Sequence, residues 1–310
     1  MSESHIVEGT AEMRLDQWLL QTWSELDRRQ VRQMIQKGRV QVNAQPAQKA
    51  GQYVQPGDSV TVSLPEMPPP EKESQNPFLL PLNVVHEDEV IIVVEKPAGM
   101  AMYASRDGLN GSLVQQLVAY CPQIAHIGGA EHAGVVMRAE PEISGLVIAA
   151  KDETTYRMLR RAFNHQKVET VYSVLVEGRL TGEGVIEQPV GNVKRTRVRL
   201  NVAREGRPAR TCYRGQRHYK ENGKDYSLLE VRPETSRLHQ IRVHLSWYGF
   251  PVVGDRVYGS RYQPLLPDRI FLHLSALTFP HPLSGEPTQV ESRLPPELYS
   301  VLRYLVQPKR

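Results

Sequence analysis

Cysteine is nearly absent from this chain of 310 residues: Cys121 and Cys212 are its only two. They form no CxxC pair and no secretory leader precedes them, so a reducing, cytoplasmic setting is expected and a disulfide framework is not. No run approaches the roughly 20 apolar residues of a membrane-spanning helix, and no membrane association is expected. A glycine-rich nucleotide loop is missing too. His239 and His244 have no third partner at metal-ligand spacing, which leaves neither a nucleotide cofactor nor a metal to expect. Acids are missing from two stretches. Between Arg28 and Gly57 there is none, against Arg28, Arg29, Arg32, Lys37, Arg39 and Lys49. Between Lys194 and Arg217 Glu205 stands alone among nine basic residues. The net charge of +4 says less than this distribution. Two separated basic stretches suit a polyanion that touches both ends of the chain.

What is present describes an ordinary globular protein, 40% hydrophobic and 23% charged, long enough for two domains. Residues 1–10 are polar and are expected to be disordered. Met13–Trp23 carries Leu15, Trp18, Leu19 and Trp23 at helical spacing. Asp27 suits the N-cap of a second helix, Arg28 to Lys37, which Gly38 ends. Arg39–Asn43 alternates like a strand, and Gln55-Pro-Gly-Asp58 turns the chain into Ser59–Ser63. Residues 12–64 therefore read as a small domain. Six prolines among charges in 65–81 read as an extended linker, leaving 82–310 as the larger domain.

In that larger part, Val90–Val94 runs into Glu95-Lys96-Pro97-Ala98-Gly99 as a buried strand and a turn. Ser112–Tyr120 and Thr154–His165 are expected helices, and Glu169–Gly178 a strand carrying Tyr172. Lys194–Leu200 alternates so that Arg195, Arg197 and Arg199 share one face. An RNA backbone would relieve their mutual repulsion; a solvated edge strand is the other reading. Gly134–Lys151 is built differently. Val135-Val136 and Leu146–Ala150 enclose Arg138, Glu140, Pro141, Glu142, Ser144 and Gly145. Two buried strands joined by a polar loop would hold a carboxylate and a guanidinium on a rigid platform, although the same residues also suit a surface turn.

The order Gly134-Val-Val-x-Arg138-x-Glu140, then Ser144-Gly145-Leu146 and Ala150-Lys151, resembles the catalytic motif of the large-subunit ribosomal RNA pseudouridine synthases. That family writes its core His-Arg-Leu-Asp-x-x-Thr-Ser-Gly, with the Asp catalytic. Here Met137, Ala139, Glu140 and Ile143 stand in place of His, Leu, Asp and Thr. Lys96, Pro97 and Gly99 match the family's Lys-Pro-x-Gly element. Thr235, Arg237, His239, Gln240, Ile241, Arg242 and His244 match its Thr-Gly-Arg-x-His-Gln-Ile-Arg-x-His, with Ser236 replacing the Gly. Pro251–Asp255, Tyr258-Gly259 and His273–Pro282 extend the likeness, which covers nearly all of 83–298. Residues 13–64 resemble the small RNA-binding domain named after the fourth ribosomal protein of the small subunit. Arg28, Arg29 and Arg32 would there pair with phosphates.

The resemblance implies an α+β protein: a small helix-helix-strand domain, then a larger, mainly antiparallel sheet with flanking helices. It implies isomerisation of uridine to pseudouridine in structured RNA, with large-subunit ribosomal RNA as partner and a monomeric protein. The target base must leave its stack. Glu140 would be the catalytic carboxylate, Arg242 its partner, and Tyr172 the platform for the flipped base, although the Lys usually found two residues before that Tyr is Thr170. Ile241 would pack the base's other side, Arg138 fill the gap it leaves, and Lys96, Arg237 and His239 line the RNA. Glu140 is one methylene longer than the family's Asp, and Pro141 alters the loop's freedom. Two readings follow: a synthase that works with Glu140, or an RNA-binding protein on the same scaffold without turnover.

Overall fold

The computed structural model describes residues 2–7, 12–23, 31, 34–36, 38–63, 82–104, 111–129, 132–192, 200–203 and 205–306. Arg28, Arg29, Arg32, Arg195, Arg197, Arg199 and the proline-rich stretch 65–81 lie outside them. The chain divides into two compact units, Met1–Gln75 and Asn76–Arg310.

In the first unit β1 (Ser2–Ile6), β6 (Ser59–Ser63), β3 (Val40–Val42) and β4 (Gln45–Pro46) form one antiparallel sheet in that order, and β2 (Met13–Arg14) pairs with β5 (Tyr53–Val54). The helix Leu15–Thr22 buries Leu15, Trp18 and Leu19, the i, i+3, i+4 stripe visible in the sequence. Trp23 follows as its C-cap and meets Trp18 edge-on at 5.8 Å. Residues 31 and 34–36 are helical, and Gly38 at φ +67° ends that turn, with Arg39 N–H donating to Met34 O. Residues 2–6 correct an expectation. They form β1, in register with β6 from Ser2↔Ser63 to Ile6↔Ser59, not a disordered tail. Polar composition misled here because an edge strand needs backbone partners more than apolar side chains.

The second unit is built on a nine-stranded mixed sheet. Its strands are β7 (Asn83–Glu87), β8 (Ile91–Lys96), β9 (Ser144–Ala150), β10 (Glu169–Glu177), β11 (Glu183–Glu187), β14 (Arg210–Glu221), β15 (Lys224–Pro233), β16 (Leu272–Pro280) and β17 (Pro287–Glu291). The small ribbon β12 (Val190–Asn192) and β13 (Leu200–Val202) stands apart. The order is β11-β14-β15-β10-β16-β9-β8-β7, with β17 sharing the β9 edge of β16. β16 thus joins two halves, and its bond to β9 is a short parallel one, His273↔Ser144 and Leu274↔Gly145. β9 is buried along its whole length and β8 nearly so, hence their unbroken apolar runs. Val135 makes a single bridge to Ala149 rather than the full strand expected before the polar loop. Helix Leu113–Tyr120 starts at a capping box between Ser112 and Gln115, and helix Glu153–Asn164 at Asp152, which accepts from Thr155 N–H. Asn222 and Gly223, both at positive φ, close the β14–β15 hairpin.

Candidate active site

Glu140 projects from the loop 137–143 that feeds β9, and the loop is fixed from below. Lys96, at the end of β8, is 1% exposed and donates to the carbonyls of Pro97 (2.9 Å), Met100 (2.9 Å) and Pro141 (3.0 Å). Burial pulls its ammonium down to about 8, against the opposing pull of Glu142 and Glu140. Gly99 N–H donates to the same Pro141 carbonyl at 2.7 Å. This corrects the expected role of Lys96. It is a core anchor of the loop, not a side chain facing RNA. At the start of β9, Gly145 sits at φ +122°, and a Cβ there would lie 2.3 Å from Leu274 O, so only glycine lets β9 and β16 touch. Ser144 beside it accepts from Arg269 (2.8 Å) and lies 2.9 Å from His273 Nδ1. Burial, then the charge of Arg269, holds His273 down to about 4.

The opposite wall is the helix Gln240–Trp247. Its first six residues are buried, and the polar ones among them are pegs. Gln240 Nε2 donates to Arg210 O and Thr211 Oγ1 while Gln240 Oε1 accepts from Thr235. His244 lies 2.8 Å from both Thr211 Oγ1 and Gln188 O, and burial lowers its pKa. His239, just before the helix, adopts the left-handed region at φ +54°. That strained turn aims its backbone N–H at Glu140 Oε1, 3.2 Å away.

Arg242 on this helix completes the pairing. Its Nη1 donates to Glu140 Oε2 at 2.6 Å. Its Nε and Nη2 grip both oxygens of Asp255, at 2.7 and 2.9 Å. Asp255 is fully buried and also accepts from the N–H groups of Val257 and Tyr258. Burial opposes the charge of Arg242, but the two carboxylates prevail and push its pKa up. Tyr258 lies under the guanidinium, 5.1 Å from ring centre to Cζ, and its hydroxyl is 2.8 Å from His239 Nδ1. His239 Nε2 is 3.6 Å from Glu140 Oε2.

Tyr172 belongs to the same place. It follows a break in the β10–β16 register, between Val171 and Tyr172, that re-aims the strand. Burial, then the negative charge of Glu140, pushes its phenol up to about 12. It packs at the margin of the apolar cluster that includes Ile241. Glu140, Arg242, Tyr172, His239 and Ile241 are therefore gathered around one spot. Arg138 is exposed two positions from Glu140, and Arg237 is half-buried, donating to Pro208 O and Ser236 O. Asp255 and Tyr258 carry no role in the sequence reading. The available signal is chemical: a buried guanidinium facing one carboxylate commonly needs a second group to fill its remaining donors.

The arrangement offers a carboxylate, 14% exposed, with each oxygen held by one donor, beside a neutral phenol and an apolar floor. Comparison with known proteins agrees with that chemistry. A family model described as RNA pseudouridylate synthase matches residues 90–247, and one described as S4 domain matches residues 13–60. An uncharacterised RNA pseudouridine synthase of Chloroflexus aurantiacus is 40% identical, covering 96% of this chain and 90% of the relative. One from Bacillus subtilis is 35% identical, covering 94% of each. Ribosomal large subunit pseudouridine synthase D of Vibrio parahaemolyticus is 31% identical over 94% of this chain and 90% of its own. The solved human RNA pseudouridylate synthase domain containing 1 has the same fold, at a TM-score of 0.59 and 24% identity over 71% of this chain and 87% of that one.

Proposed function

The chain belongs to the RNA pseudouridylate synthase family, and on that premise we propose that it isomerises a uridine of large-subunit ribosomal RNA with Glu140 as its catalytic carboxylate. The reaction breaks the bond from ribose C1′ to N1 of uracil and forms one from C1′ to C5. The proton on C5 leaves and N1 gains one, so the product is an isomer and no electrons are exchanged. The ribosomal target rests on the named relative from Vibrio parahaemolyticus.

Each residue's part follows from its surroundings. Arg242 and the His239 N–H orient the Glu140 carboxylate toward the ribose. Tyr172, whose phenol stays protonated at physiological pH, is the flat face for the flipped uracil, with Ile241 packing the base's other side. Arg138, exposed beside the loop, takes the place the base vacates in the stack. Arg237 and His239 line the approach of the RNA. The basic residues Arg28, Arg29 and Arg32 in the S4 stretch, and Arg195, Arg197 and Arg199, meet phosphates. We place the protein in the cytoplasm as a monomer; its two free cysteines suit a reducing compartment.

The observation that carries the proposal is the 2.6 Å pairing of Glu140 with a guanidinium that is itself locked. In support, both oxygens of the longer Glu side chain meet donors. Mapping pseudouridine in ribosomal RNA from cells with and without the gene tests it. One site should vanish on deletion, return with the native gene, and stay absent with Glu140→Gln, which keeps the shape but removes a charge normally worth about 100-fold or more. Glu140→Asp should be slower by about 100-fold, since it withdraws the oxygens by roughly an ångström. A site restored by Glu140→Asp and not by the native gene would sink the proposal in favour of a binding protein without turnover.

A further inference from the structure

We propose that Asp255 is a positioning residue for the isomerisation, acting by fixing the plane of Arg242 so that its Nη1 alone meets Glu140; this rests on Glu140 being the catalytic carboxylate. A guanidinium presents five N–H donors in one plane, along two edges (Nε with Nη2, and Nη1 with Nη2), so whatever grips one edge fixes the direction of the other. In this site Asp255 takes the edge formed by Nε and Nη2, at 2.7 and 2.9 Å. Its own place is not negotiable, because it is fully buried and Oδ1 also accepts from Val257 and Tyr258 N–H. Gly254 before it must be glycine, since a Cβ would lie 1.9 Å from Arg269 O. The plane of Arg242 is therefore set from behind, and Tyr258 lies under it at 5.1 Å.

With the plane so held, Arg242 meets Glu140 through Nη1, and a single oxygen, Oε2, is held by charge at 2.6 Å. The other, Oε1, meets the weaker neutral donor of His239 at 3.2 Å and can leave it. Were Arg242 free to turn, its open Nη1/Nη2 edge would swing round and close on both oxygens of Glu140, as guanidinium and carboxylate prefer. Both oxygens would then be committed and aimed at the guanidinium, away from a ribose. Asp255 keeps Glu140 paired yet available. The longer Glu side chain makes this more necessary than Asp would, because its extra torsion gives it the reach to swing into such a chelate.

Asp255→Asn tests the idea with little change of shape. Its amide oxygen can still accept one N–H from Arg242, while its NH2 faces a donor and releases the other edge. Single-turnover rates would be measured on unmodified large-subunit ribosomal RNA transcribed in vitro, with affinity measured separately. The expected result is a rate down by about 10- to 100-fold with the dissociation constant for the RNA within about twofold of the parent. A crystal structure of the variant is expected to show Arg242 bonded to both Glu140 oxygens. An unchanged rate, or Arg242 in its original plane in that crystal, overturns the proposal. The unmutated protein supplies a check that does not depend on how the variant folds. With 15N-labelled arginine, rotation about the Cζ–N bonds of Arg242 should be slow on the NMR timescale, and fast rotation overturns the clamp. If the parent does not turn over the transcript, the synthase reading is what fails, and the arginine spectrum and the variant's crystal still decide the clamp.

Discussion

At the scale of single residues, the site depends on polar groups that never reach solvent. His273 is buried and held down to about 4, well below its ordinary 6.5. Its folded pKa lies below its unfolded one, so the contribution is full above about pH 6.5 and is lost as pH falls toward 4. The shift corresponds to about 3 kcal/mol at most. Thermal melting of the parent should therefore fall steeply between pH 7 and 4, and His273→Gln should flatten that slope while lowering stability overall. An equal slope in both would remove His273 as the cause. Lys96 is the second such residue. Lys96→Met should free the loop carrying Glu140, slowing turnover by about 10-fold or more and speeding hydrogen exchange at the Gly99 amide, which donates to Pro141. The sequence exposed Glu140, Tyr172 and Arg242 through motif position, and the structure gathers them. It did not expose Lys96 as a core residue, because a lysine before Pro97 reads as a solvated turn unless three carbonyls are known to converge on it.

At the scale of elements, the legible parts were those with one apolar face. The helices Leu15–Thr22, Leu113–Tyr120 and Glu153–Asn164 are one-sided, and the last two start at Ser112 and Asp152, caps that announce themselves. The helix Gln240–Trp247 is enclosed along Gln240–Leu245, so its sequence shows no periodic stripe and its polar side chains look like a binding motif rather than pegs. The partial strand at Val135 was hidden for another reason: it pairs at one position, and flanking valines cannot reveal register. The contact between β9 and β16 gives a prediction at this scale. Gly145→Ala would press a methyl against Leu274 O and force an unfavourable φ, so the variant should be destabilised by about 2 kcal/mol or more. Chemical denaturation measures it, and a loss under about 0.5 kcal/mol would contradict the close approach.

At the scale of the whole molecule, all of Glu140, Tyr172, Arg242 and Asp255 fall within the unit Asn76–Arg310, while the S4 match falls within Met1–Gln75. A fragment of residues 76–310 should keep its chemistry and bind ribosomal RNA less tightly, by about tenfold or more. Affinity of the full chain should fall linearly with the logarithm of salt concentration, and the fragment's slope should be shallower because fewer phosphates are neutralised. Equal slopes would mean the first unit contributes no phosphate contacts.

The sheet order has a consequence for the timing of synthesis. Glu140 and Lys96 ride on the β7–β9 half, whereas Tyr172 belongs to the half on the other side of β16. Those halves share strand pairing only through Leu272–Pro280, which is made late in translation. A nascent chain lacking that strand would hold every one of these side chains and still lack the sheet that joins them. Full assembly of the site is therefore expected only once that strand has left the ribosome.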